Sequence, residues 1–174
     1  TTNFMQGIPH FAISIGLERE GQLVAGVVFN PVTDDLFIAE KGHGAYLNNK
    51  RLRVAARKEL APCVFATGLP FMGRDGRARA LAEVNAVLEV SSGVRRFGAA
   101  SLDLAWTAAG RIDGYWERSI NVWDVAAGVV LMREAGGVVS DFAGRTDALT
   151  GTEIVCANEN IHPQLLKLLK NAKP

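Results

Sequence analysis

Residues 117–137 read Glu-Arg-Ser-Ile-Asn-Val-Trp-Asp-Val-Ala-Ala-Gly-Val-Val-Leu-Met-Arg-Glu-Ala-Gly-Gly. The stretch leaves a strand expected over 112–117, whose Asp113-Gly114-Tyr115-Trp116 run ends at Glu117. It then enters a helix expected over 124–135, stopped by Gly136 and Gly137. One carboxylate, Asp124, stands where this apolar helix opens, and Ala126, Ala127 and Gly128 line its first turns. Small residues there mean close packing, so a charge at that mouth faces either solvent or a ligand.

The pattern continues outward from this unit in both directions. On the carboxy-terminal side, strands are expected over 138–140 and 153–157, with a last helix from about Pro163. On the amino-terminal side lie a strand over 63–67, a helix over 75–88, a strand over 94–97 and a helix over 101–109 stopped by Gly110. Alternation of this kind predicts a mixed sheet covered by helices. Before residue 62 the period changes. Short alternating or apolar runs over 11–17, 22–29, 36–40, 44–47 and 52–54 are separated by Glu20-Gly21, Asn30-Pro31, Lys41-Gly42-His43-Gly44 and Asn48-Asn49, which describes an antiparallel meander. The expected fold class is therefore α/β in the layered, α+β sense, with 1–54 as an antiparallel layer and 62–174 as a mixed layer of one domain. The run Val24-Ala25-Gly26-Val27-Val28-Phe29 is apolar on both faces, so the antiparallel layer is expected to be covered on both sides.

Nineteen basic and eighteen acidic residues give a formal net charge of +1, so nothing in the charge balance announces nucleic acid or a membrane surface. No apolar run approaches the ~18 residues of a spanning helix, and a cytoplasmic location is the expectation. Cys63 and Cys156 sit in apolar strands without a Cys-x-x-Cys pair and are expected to be buried free thiols. His10, His43 and His162 show no paired metal-binding spacing and are expected to be structural. No glycine-rich nucleotide loop is present, and nothing around Cys63 marks it as a nucleophile.

Taken as residues alone, the candidates have ordinary explanations. Asp124 suits a helix N-cap, Glu117 a solvated strand end, and Gly98-Ala99-Ala100-Ser101 a small-residue turn capped by Ser101. A carboxylate also accepts hydrogen bonds from vicinal hydroxyls and ligates hard cations, and small side chains at a helix start bare its N–H donors.

The Trp-Asp-x-Ala-Ala-Gly … Glu-Ala-Gly-Gly pattern of 123–137 resembles a signature of the inositol monophosphatase family, the magnesium-dependent sugar phosphatases. The segment Thr1-Thr2-Asn3-Phe4-Met5-Gln6-Gly7 resembles the continuation of the family's second signature, Asp-Pro-(Ile or Leu)-Asp-Gly-Thr-Thr-Asn-Phe, taken up after its glycine. The resemblance runs through nearly all of the chain. It implies the family's αβαβα sandwich, and it implies that two metal-binding aspartates and the covering helices precede Thr1. The expectation is a carboxy-terminal part of a longer enzyme, not an efficient catalyst by itself, with its antiparallel layer bare on one face.

The resemblance also implies the roles. Asp124 binds Mg²⁺ and approaches a substrate hydroxyl. Glu117 accepts from the polyol, and main chain at Gly98, Ala99 and Ala100 contacts it. Arg95 matches a position that contacts substrate in bacterial members, and Thr1 helps to orient the attacking water beside the phosphate. The implied reaction is direct hydrolysis of inositol 1-phosphate or a related polyol phosphate by Mg²⁺-assisted water, inhibited by lithium, in a homodimer with no membrane partner. Relatives acting on fructose bisphosphate, histidinol phosphate or 3′-phosphoadenosine 5′-phosphate are the enzyme alternatives. A different class is a non-catalytic partner of the transcription and RNA-processing machinery.

Overall fold

Two five-stranded sheets lie in the computed structural model, which describes residues 1–146 and 153–173. The first is an antiparallel meander of β1 (Ile13–Arg19), β2 (Gln22–Asn30), β3 (Asp35–Glu40), β4 (Gly44–Leu47) and β5 (Lys50–Arg51), adjacent in chain order. Its tight turns carry the backbone that two-residue hairpins need. Glu20 and Gly21 have φ of 53° and 74°, and Asn48 and Asn49 have 44° and 67°. The Asn48-Asn49 turn also corrects the expected strand over 52–54. Pairing resumes at once, with Lys50 opposite Leu47 and Arg51 opposite Tyr46. Leu52 then peels into the core, and Val54 donates to the Ala135 carbonyl instead of to a strand.

The second sheet has the order β7-β6-β8-β10-β9, built from β6 (Val64–Thr67), β7 (Gly93–Arg95), β8 (Gly114–Arg118), β9 (Val138–Ser140) and β10 (Glu153–Ala157). β6 runs parallel to β7 and β8, whereas β10 is antiparallel to β8 and β9, so the sheet is mixed as the helix–strand alternation predicts. Between the sheets lie α3 (Ala100–Ala108) and α4 (Val122–Glu134), and the outer face of the second sheet carries α2 (Arg77–Leu88) and α5 (Ile161–Asn171). The described residues thus stack in the order sheet, helix pair, sheet, helix pair. The covering helices implied outside the first sheet are not among them.

Strand alternation sorts the side chains of the second sheet into two cores. Ala66, Tyr115 and Cys156 face inward, joining Val28, Phe37 and Ala45 of the first sheet around α3 and α4. Phe65, Trp116 and Val155 face outward to Leu165 and Leu169 of α5. Full burial of each such leucine contributes about 1.5–3 kcal/mol. Both cysteines are free and buried, one in each core, as expected.

α4 lies unusually close to the first sheet. Gly16 and Gly26 pair across β1 and β2. A Cβ at Gly16 would come within 2.6 Å of the Ala126 Cβ, and one at Gly26 within 2.5 Å of the Ala127 carbonyl oxygen. Glycines on the sheet and alanines on the helix let two backbones meet, which fixes the height of the first turn of α4. On the opposite side Gly128 leaves room for the Leu104 side chain of α3.

The helix starts differ from expectation. α4 begins at Val122 with Asn121 as N-cap, so Asp124 is the third helical residue and not the cap. α3 is capped by Ala99, and Ser101 lies inside it. α5 starts at Ile161 because the Asn158 side chain accepts from the Asn160 and Ile161 N–H groups, leaving Pro163 in a first turn where proline has no bond to break. A short turn, α1 (Thr2–Met5), was not expected.

Candidate active site

The carboxy-terminal ends of β6 and β8 and the starts of α3 and α4 open on one cavity of about 340 Å³, to whose lining the amino-terminal turn contributes Thr1 and Asn3. Asn3 holds that turn in place. Its amide donates to the His10 carbonyl at 2.8 Å and to the Phe97 carbonyl at 3.0 Å, joining three segments and setting Thr1 at the cavity wall.

β8 delivers Glu117. Tyr115 and Glu117 share a strand face, and the Tyr115 hydroxyl donates to Glu117 Oε2. Burial raises the Glu117 pKa, opposed by that hydrogen bond. On the other face of β8, Arg118 pairs with the buried Glu83 at 2.8 Å and with Glu153 at 2.8 Å, anchoring the strand end. Gly68, just past β6, leaves room for the acid, since a Cβ there would overlap the Glu117 carboxylate. The loop beyond β6 returns through Arg74, whose guanidinium donates to the Ser119 carbonyl at 2.8 Å and lies over the Phe71 ring.

α4 delivers Asp124. Its Oδ2 accepts from the Asn121 backbone N–H only at 3.4 Å, a long contact for this geometry. The carboxylate is therefore held in place near the helix start yet retains most of its lone pairs for a ligand. α3 begins at the turn Gly98, Ala99, Ala100. Gly98 has φ 88°, and a Cβ there would collide with the Arg96 guanidinium. No side chain caps this helix start, so the first N–H groups are available at the cavity.

The structure therefore brings together Thr1, Gly98, Ala99, Ala100, Glu117 and Asp124 on one cavity, and it does not bring Arg95 there. Arg95 is exposed, and its neighbour Arg96 lines the wall instead. The donor set is carboxylate and hydroxyl oxygen without cysteine, which suits a hard cation in kind. Asp124 keeps uncommitted carboxylate oxygens at the mouth of α4. Among the described residues, no group of three acidic, histidine or cysteine side chains is close enough to hold a metal.

Several wall residues carry no sequence signal that marked them. Arg96 is one of a pair, and Arg74 sits in an unremarkable loop. His10 contributes a ring packed against Phe97 and Trp106. Asp103 is the most telling. It hides between Leu102 and Leu104 of an apolar helix, is only 2% exposed, and still reaches the cavity.

A family model described as the inositol monophosphatase family matches residues 1–173. The chain belongs to that family. It is 53% identical, over 99% of its length and 68% of the relative's, to an inositol-1-monophosphatase of Caulobacter vibrioides. It is 44% identical to the Nus factor SuhB of Pseudomonas aeruginosa, over its whole length and 65% of that protein. The crystal structure of extragenic suppressor protein suhB from Bartonella henselae matches with a TM-score of 0.96 and 49% identity, covering 99% of this chain and 66% of that one. This family member thus spans about two thirds of the length of the relatives it matches. The sandwich of an antiparallel and a mixed sheet is the fold those relatives share.

Proposed function

We propose that the protein carrying this chain hydrolyses a polyol phosphate monoester, inositol 1-phosphate foremost, to the free polyol and phosphate. The observation that supports this most is the convergence of Glu117, Asp124 and the uncapped turn at Gly98, Ala99 and Ala100 on one cavity of about 340 Å³. That volume lies in the small-molecule range. The family and the inositol-1-monophosphatase relative supply the substrate class.

In this reading Glu117 Oε1 accepts from ring hydroxyls, while Tyr115 occupies Oε2 and keeps the carboxylate from rotating. The N–H groups at the start of α3 donate to the ring. Asp124 would be the residue of this chain that holds Mg²⁺, and Thr1 would orient the attacking water. When bound, the ion supplies Lewis-acid polarisation of the phosphoryl oxygens and neutralises charge on the leaving alkoxide. A covalent phosphocysteine route is disfavoured because burial pushes the Cys63 thiol up to about 11 and Cys63 lies in the outer core. Lithium inhibition, a homodimer and a cytoplasmic location belong to the same reading. No helix among the described residues is long and apolar enough to cross a membrane.

The test is phosphate release from inositol 1-phosphate by the whole protein with Mg²⁺, with excess EDTA, and with Asp124→Asn. EDTA should abolish turnover, and Asp124→Asn should cut kcat/KM by ~10² to 10⁴ with little change in melting temperature. Turnover that persists in EDTA would remove the metal from the reaction. The relative named a Nus factor motivates a second reading, docking to transcription machinery. Capture of that machinery by a protein lacking Glu117 and Asp124, as efficiently as by the wild type, is the outcome that supports it.

A further inference from the structure

Asp103 has the burial of a core residue and the chemistry of a binding residue. It lies in the first turn of α3, 2% exposed, and its Oδ1 has no hydrogen-bond partner. Its own backbone N–H is spent on the Ala99 carbonyl at 3.0 Å. The nearest cation on its side of the cavity, Arg96, is drawn over Gly98 and makes no hydrogen bond to it. A buried carboxyl without a donor is costly, and native structures rarely tolerate one without a reason. The reason is spatial. Asp103 forms part of the same cavity wall as Glu117 and the Gly98, Ala99, Ala100 turn.

We propose that Asp103 is a further specificity-determining residue, whose carboxyl oxygen accepts a hydrogen bond from a polyol hydroxyl deeper in the cavity than the hydroxyls held by Glu117. The inference rests on the polyol-phosphatase reading and extends it to a residue for which neither the sequence nor the family signature assigns a role. The occupant is a hydroxyl because a cation at this depth would need further oxygen donors, and no three-acid group exists among the described residues. Burial, with the Glu117 charge adding to it, raises the Asp103 pKa, which is compatible with this partner because the carboxyl keeps an acceptor oxygen in either protonation state.

The experiment compares wild type, Asp103→Ala and Asp103→Asn in the whole protein, on inositol 1-phosphate and on para-nitrophenyl phosphate, which has no hydroxyls to place. Asp103→Ala should raise KM for inositol 1-phosphate by about tenfold, the worth of one hydrogen bond, with kcat little changed. Its kinetics on the aryl phosphate should stay within about twofold of wild type, by the same reasoning. Asp103→Asn, which keeps an acceptor oxygen, should restore the polyol KM. Equal losses on both substrates, or no change on either, overturn the assignment.

A wild-type measurement guards against a variant that does not fold. The isotope-labelled carboxyl carbon of Asp103 should shift on addition of free myo-inositol and stay still with inorganic phosphate, and a stationary signal with both overturns the proposal. If the wild type releases phosphate from neither monoester, the phosphatase reading falls and this inference with it. An active wild type whose Asp103 variants and carboxyl signal are silent overturns this inference alone.

Discussion

Asp103 also predicts a pH signature in stability. Burial raises its folded-state pKa well above the usual carboxylate range, whereas in the unfolded chain it titrates near ~3.9. Over the interval between those values the folded state binds the proton and the unfolded state does not, so stability falls as pH rises through it. Below the unfolded value both states are protonated and the penalty vanishes. Asp103→Asn removes the titration, so the variant should melt higher than wild type at pH 7, with the gap closing as pH falls toward about 4. Thermal melts of both proteins across that range check it, and a gap that widens on acidification would reverse the assignment. Glu117, also raised by burial, adds a slope of the same sign that both proteins share. The site thus holds two buried acids whose placement costs stability, a common mark of a binding residue.

At the scale of elements, the site depends on how closely α4 can approach the first sheet. Asp124 stands in the first turn of that helix, and Gly26 touches its backbone at Ala127. The neighbour that an added methyl would strike is a carbonyl oxygen at 2.5 Å and a Cα at 2.8 Å, not a side chain that can turn away. Gly26→Ala should therefore lift the helix start, destabilise the protein by ~1–3 kcal/mol and lower phosphatase activity by moving Asp124. Denaturant unfolding and kcat/KM on the same sample check this. Unchanged values would show that the helix slides without disturbing its mouth.

At the scale of the molecule, the first sheet is finished on one side only. α4 covers Val28, Phe37, Ala39 and Ala45, whereas Ile13, Ile15, Leu17, Ile38 and Tyr46 face outward, with Ile15 60% exposed and Leu17 56%. Register places Ile15 opposite Val27 and Val27 opposite Ile38, so the exposed residues form one continuous apolar surface across three strands. Soluble monomers rarely expose contiguous patches beyond a few hundred Å². Residues 1–174 expressed by themselves should bind a hydrophobic dye strongly and self-associate. Monomeric sedimentation with no dye signal would show that this surface is tolerated in water.

Much of the chain's organisation is written locally. The period-two runs and hairpin turns before residue 62 specify the meander, and the helix–strand alternation after it specifies the mixed sheet, because backbone hydrogen bonding and amphipathic burial act over a few residues. The signature around Asp124 and Glu117, and the Thr1 tail, were likewise legible as patterns. Element starts were less so. Asn121 rather than Asp124 caps α4, since several short polar residues at a helix mouth can serve and only packing of α4 on Gly16 and Gly26 selects the register. Asp103, Gly68 and Arg96 had no signal at all. A carboxylate inside an apolar helix, a glycine after a strand and one arginine of a pair acquire meaning when distant segments converge on a cavity, and convergence is a property of layer packing. Local sequence determined the elements and the family's motifs. Tertiary structure alone decided which oxygen atoms meet there, because that depends on distances across the sandwich that no short-range pattern encodes.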